Sequence, residues 1–237
     1  DMSLSYGDKF GKLSFVGTYS YNQFKRNIIT TLTEDEITGS EVEAVDVKIH
    51  GFTGALNYKM NERNKLKFET FFSNFNEELD FLADIKRTSD GTLNFTADTA
   101  ADKKLRRLHT KNLEFETKGD NWKWTNAINF AQHFDEKDRW RMTQKSSGLI
   151  ESLEDENQKN TESVFLSDYR LRLSNQSIKA GIRASGLWRD YGRWVYTRIA
   201  GHKFWDESTD GSYILDEYRF GVYVTDEIEL GNLYLVP

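Results

Sequence analysis

The sequence predicts an all-β fold: a transmembrane antiparallel up-and-down β-barrel, with about ten strands here belonging to a larger barrel of about 22. Three observations predict it. Apolar and polar side chains alternate with a period of two through segment after segment. Tight turns recur along the chain and alternate with long polar stretches. Aromatic side chains gather near both ends of the apolar alternation.

The strands follow in order. Met2, Leu4 and Tyr6 already alternate with serines. Leu13, Phe15, Gly17, Tyr19 and Tyr21 then lie on one face, against Ser14, Thr18, Ser20 and Asn22. Phe52, Gly54, Leu56 and Tyr58 oppose Thr53, Ala55 and Asn57, and Leu66, Phe68, Thr70 and Phe72 oppose Lys67, Glu69 and Ser73. Leu113, Phe115 and Thr117 oppose Asn112, Glu114 and Glu116. The clearest strand sets Trp122, Trp124, Asn126, Ile128, Phe130, Gln132 and Phe134 against Lys123, Thr125, Ala127, Asn129 and His133. Phe165, Tyr169, Leu171 and Leu173 oppose Arg170 and Arg172; Ile178 through Trp188 oppose Lys179, Arg183 and Ser185; Tyr218, Phe220, Val222, Val224 and Ile228 oppose Gly221, Thr225, Glu227 and Glu229. No stripe forms at spacings of three and four, so a helical reading fails.

Tight turns are expected near residues 7–12, 61–64, 118–121, 175–177 and 231–232, and long loops near 27–46, 82–104, 135–161 and 191–212. The expected strands, about 13 to 17 residues, exceed the five or six usual in globular proteins. Tyr58, Phe115 and Trp122 lie toward the short turns, and Phe72, Phe134, Trp188 and Tyr218 toward the loops. Two such bands match the aromatic girdles at the two lipid–water boundaries. Strict alternation leaves one charge, Asp226, on the apolar face beside Val224 and Ile228.

Composition fits this reading. Only 38% of the 237 residues are hydrophobic and 30% are charged, but a barrel meets lipid with every second strand residue, so a low mean hydropathy does not exclude it. No apolar run is long enough for a membrane helix. The lack of cysteine excludes disulfides and thiolate chemistry, and a net charge of −6 leaves no basic stripe for nucleic acid. Both ends fall inside alternating segments. The expectation is therefore one partial barrel domain over residues 1–237, with a plug domain and the remaining strands outside it.

The segment Tyr218-Arg-Phe-Gly-Val-Tyr-Val-Thr-Asp-Glu-Ile-Glu-Leu-Gly-Asn-Leu-Tyr-Leu-Val-Pro237 resembles a recurrent stretch of TonB-dependent receptor barrels. There an aromatic-rich strand ends in an Asp-Glu pair, matched by Asp226 and Glu227, and a short turn, matched by Gly231 and Asn232. The hairpin Leu56-Asn-Tyr-Lys-Met-Asn-Glu-Arg-Asn-Lys-Leu66 is similar to periplasmic hairpins of the same family. The resemblance implies an outer-membrane protein of a Gram-negative cell that imports an iron-siderophore or similar scarce solute. It implies as partners the TonB complex, reached through the plug region, and outer-membrane lipid and lipopolysaccharide. It implies no enzyme activity.

Candidate ligand-binding residues lie on the expected loop side: Arg139, Trp140 and Arg141; Arg189, Arg193 and Trp194; and His202, Lys203 and Trp205. Cations and aromatic faces converging above a barrel mouth could hold an anionic, partly aromatic metal chelate; the plainer reading is an aromatic girdle with snorkelling basic side chains. The stretch from Asp206 to Glu217 has calcium-loop spacing, with Asp206, Ser208, Asp210 and Glu217 as oxygen donors. Its plainer reading is an acidic surface loop, and calcium is the one cofactor it admits. Arg170, Arg172, Lys179 and Arg183 are expected to face the lumen and pair with carboxylates. The alternatives are a small passive porin-like barrel, an outer-membrane enzyme, and a soluble carbohydrate-binding β-sandwich.

Overall fold

A computed structural model describes residues 1–34, 37–89, 92–145, 148–199, 202–205, 211–230 and 233–235. The chain forms a single antiparallel sheet of eleven strands: β1 Met2–Phe10, β2 Leu13–Glu34, β3 Ile37–Lys59, β4 Asn64–Ser89, β5 Thr92–Lys118, β6 Trp122–Lys145, β7 Gly148–Arg172, β8 Gln176–Ile199, β9 His202–Trp205, β10 Gly211–Leu230 and β11 Leu233–Leu235. Neighbours in the chain are neighbours in the sheet, the up-and-down order expected. The short β9 also pairs with β8, so β9 and β10 lie along the same strand. Ten consecutive strands make the wall, and no helix forms among the described residues.

The four long loops are not loops. β4 and β5 run for 26 and 27 residues, and the stretches 82–89 and 92–104 extend them as one hairpin. Stretches 27–34 with 37–46, and 135–145 with 148–161, likewise continue β2, β3, β6 and β7 in register. Within 191–212, residues 191–199 continue β8 and 202–205 form β9. The physical reason is that cross-strand pairs satisfy the backbone and hold polar side chains as well as apolar ones, so polarity alone does not end a strand.

The short turns agree with local signals. Asn61 Oδ1 accepts hydrogen bonds from the backbone N–H groups of Arg63 (2.9 Å) and Asn64 (2.8 Å), closing the β3–β4 turn. Gly11 takes the left-handed conformation, φ 57°, between β1 and β2. Gly119 N–H donates to Trp122 O at 2.8 Å in the β5–β6 turn.

Register makes the alternation two-sided. One hydrogen-bonded row runs Leu13–Tyr58–Leu66–Phe115–Asn126–Ser167–Ile182–Val222. The last paired residue before the first short turn, Phe10, lies on this row beside Leu13, whereas Leu230 at the end of β10 lies eight residues beyond Val222. The ladder steps down by about one residue per strand, which corresponds to a strand tilt of about 35°.

Among the described residues five hydrophobic ones are buried: Val45, Val47, Ala83, Ala127 and Val164. By register all five share one face, where side chains crowd together, and this is termed the inner face. The expected apolar band, from Leu13 and Trp122 up to Tyr21, Phe72, Phe134, Trp188 and Tyr218, lies on the opposite, outer face. Asp226 does lie on that face, at its lower rim, where Gln176 Nε2 donates to it at 2.5 Å.

On the inner face the Tyr223 hydroxyl on β10 reaches across Gly181 on β8 to donate to Asp168 on β7. A Cβ at Gly181 would lie 2.5 Å from Asp168 Oδ1 and 2.7 Å from the Tyr223 ring. Gly181→Ala is therefore expected to destabilise the sheet by about 1–3 kcal/mol through overpacking and the displaced hydrogen bond. Urea unfolding in lipid vesicles measures it; an unchanged midpoint would contradict the account.

Candidate functional site

The outer face carries one broad apolar band with aromatic rims. From Ile178 to Trp188 on β8, or Trp122 to Phe134 on β6, it spans about 25–32 Å after tilt is allowed for. Its upper rim holds polar handles: Trp188 Nε1 donates to the Tyr218 hydroxyl at 3.1 Å, Tyr19 OH lies 2.8 Å from His50 Nδ1, and Lys159 Nζ sits 5.7 Å from the Phe134 ring centre. Trp188 folds over Gly186, where a Cβ would meet its ring at 2.7 Å. Above the rim the same face turns polar, with Gln23, Lys48, Asn74, Glu136, Lys159 and Asp190. Higher still, Trp140, Leu153 and Tyr196 form a second, narrower apolar row.

The inner face above the rim has two halves. On β2–β4 it is mainly apolar: Phe24, Val45, Val47, Ile49, Phe75 and Leu79 project inward beside the Arg26–Glu43 ion pair and Glu77, and Val47 is 1% exposed. On β5–β8 it is charged. Arg139 Nε meets both oxygens of Asp102 at 3.1 and 3.0 Å, and its Nη1 lies 3.4 Å from Glu154. Glu154 also accepts from Arg193 Nε at 2.6 Å, so one chain of charges crosses four strands. Arg141 lies 3.3 Å from Asp98, and Arg106 Nε lies 2.9 Å from Asp135. The seam between the halves is a cation over a ring, with Arg106 Cζ 6.0 Å from the Phe75 centre.

Titration follows these contacts. The hydrogen bond to Glu154 holds Arg193 above its already high pKa, and burial and then the Glu156 carboxylate push the Tyr191 phenol up. On the outer side, the hydrogen bonds from Gln23 and then Lys25 lower the Asp46 pKa. Partial desolvation and then Asp138 and Glu136 raise that of Asp155.

The six ligand candidates whose side chains are described do not share one face. Arg139, Arg141, Arg189 and Arg193 face inward, whereas Trp140 and Trp194, one residue from an arginine in each case, face outward. Period-two alternation forces that split, since adjacent strand residues cannot share a face. Arg189 Nε donates to Asn160 at 2.8 Å, and Trp140 Nε1 donates to Glu151 at 2.9 Å on the far side. His202, Lys203 and Trp205 lie in β9, whose backbone pairs with β8; their side chains lie outside the described residues, as do Asp206, Ser208 and Asp210. Glu217 sits on a strand and accepts from Arg219 Nε at 2.5 Å. Among the described residues no group of three His, Asp or Glu is placed to hold a metal.

Of the lower basic residues, Arg170 and Lys179 converge on Glu227 of β10, the carboxylate pairing expected. Sequence reasoning missed the apolar inner wall, though a signal was there. On β3 the apolar parity changes from odd (Val45, Val47, Ile49) to even (Phe52, Leu56, Tyr58), and β4 changes likewise between Phe72 and Phe75.

No protein-family model matches the chain, and no curated protein matches it.

Two outcomes are expected. Glu154→Gln weakens the charged chain, and a double-mutant cycle with Arg193→Gln gives a coupling of about 0.5–1 kcal/mol that shrinks as salt rises, because both arginines are partly solvated. The raised Asp155 pKa means its contribution to stability is present below the unfolded pKa and lost as pH rises through the folded one. Asp155→Asn is therefore expected to raise the urea midpoint at pH 7 and to leave it unchanged at pH 3.

Proposed function

We propose that this chain is part of the wall of an outer-membrane TonB-dependent transporter that imports an iron-siderophore or a similar scarce solute. One observation carries the reading: the outer apolar band has the height of a bilayer core, with aromatic rims, short turns at one edge and long strand extensions beyond the other. A soluble sandwich would cover that face with a second layer, and every described strand belongs to one sheet. In this reading the short turns face the periplasm, and the strand extensions stand outside the cell as a tall rim. Their inner surface, apolar on β2–β4 and charged on β5–β8, lines the entry path. The compensated arginine chain makes this rim stiff and polar, so the solute meets a built surface and not mobile loops. The same band supports the outer-membrane location. Energy coupling through TonB and the identity of the solute rest on the resemblance of the segment 218–237 to that family.

Single-tryptophan variants in vesicles test the placement. Lipids brominated in the acyl chains are expected to quench Trp124 and Trp188 severalfold more than Trp140 and Trp194. Equal quenching of all four would sink the membrane reading. Uptake of a ferric chelate that continues without TonB would favour the passive barrel instead.

A further inference from the structure

Lys104 on β5 and Lys137 on β6 are direct cross-strand partners on the inner face, both half-buried. With Arg106, Asp135, Glu156 and Gln158 they line a polar cavity of about 240 Å³. Asp135 accepts from Arg106. Glu77 lies across from Lys104 on β4 and Glu156 across from Lys137 on β7, but no ion pair reaches either lysine among the described residues. Like charges directly opposite on a sheet are destabilising, and partial burial raises that cost. Two ammonium groups side by side in a polar cavity, neither in an ion pair, form the arrangement that an oxyanion between them would bridge.

We propose that Lys104 and Lys137 bind the oxyanion of a small solute, a phosphate or sulfate ester. Two ammonium groups supply up to six donors and match a doubly charged anion. The organic group of the ester lies toward β4, where the Phe75 ring lies under Arg106. This site depends on the geometry of the inner face alone and stands whether or not the outer face meets lipid.

Calorimetric titration of the full chain in neutral detergent, at constant ionic strength, tests it with inorganic phosphate and phenyl phosphate as probes. Both are expected to bind, phenyl phosphate more tightly. Lys104→Met and Lys137→Met should each weaken both by about tenfold or more, and the double variant should bind neither. Phe75→Leu should erase the advantage of phenyl phosphate and leave inorganic phosphate unchanged. Paired Lys→Arg replacements, which keep the charge, should retain binding; this separates loss of the site from loss of the fold. Equal affinities in the wild type and the double methionine variant would overturn the proposal, as would an equal loss on Lys159→Met, an outer-face lysine. A short-chain phosphatidic acid that binds far more tightly than phenyl phosphate would assign the pair to a lipid headgroup and overturn the solute reading.

Discussion

Each side chain in this protein faces where the ladder of backbone hydrogen bonds sends it. Strands of more than 20 residues pair in unbroken antiparallel register from β2 to β8, with β10 continuing the sheet. In such a ladder a residue has one of two directions, and a slip of one residue would reverse them all. The separation of apolar band from charged chain, and of arginine from neighbouring tryptophan, is a consequence of that single constraint. No second layer or helix is needed to impose it.

Two environments then act on the same strands. Below the rim the outer face is apolar and the inner face polar, and above it β2–β4 reverse the assignment. The reversal needs no break in the backbone, only a change in which parity carries the large apolar side chains. In β3 it falls at Gly51 and in β4 around Ser73, at one height in the sheet because these two residues are paired. The two reversals therefore share one level of the sheet, and above it the large apolar side chains of β2–β4 lie on the inner face.

The lower half of the sheet was legible in the sequence because one face there is uniformly apolar. Phe52 to Tyr58, Leu66 to Phe72 and Ile178 to Trp188 read directly as strands, with Asn61 and Gly119 marking turns. The upper half was not. In Leu82–Lys104 and Asp135–Thr161 both faces carry charges, so hydropathy loses its period even though the backbone keeps its own. The ion pairs that hold those extensions, Arg139 with Asp102 and Glu154, join residues far apart in the chain, and no local pattern announces them. The inward lysine pair was hidden for the same reason. Lys104 and Lys137 become neighbours only once register is known.

The bond from Tyr223 to Asp168 skips a strand. Because Gly181 has no side chain, β10 is fastened both to β8 by its backbone and to β7 by a phenol. Peeling β10 away therefore disturbs three strands together, and sliding it by one position would point the phenol at the wrong side of the wall. A residue that is missing a side chain thus acts as a lock on alignment near the margin of the sheet.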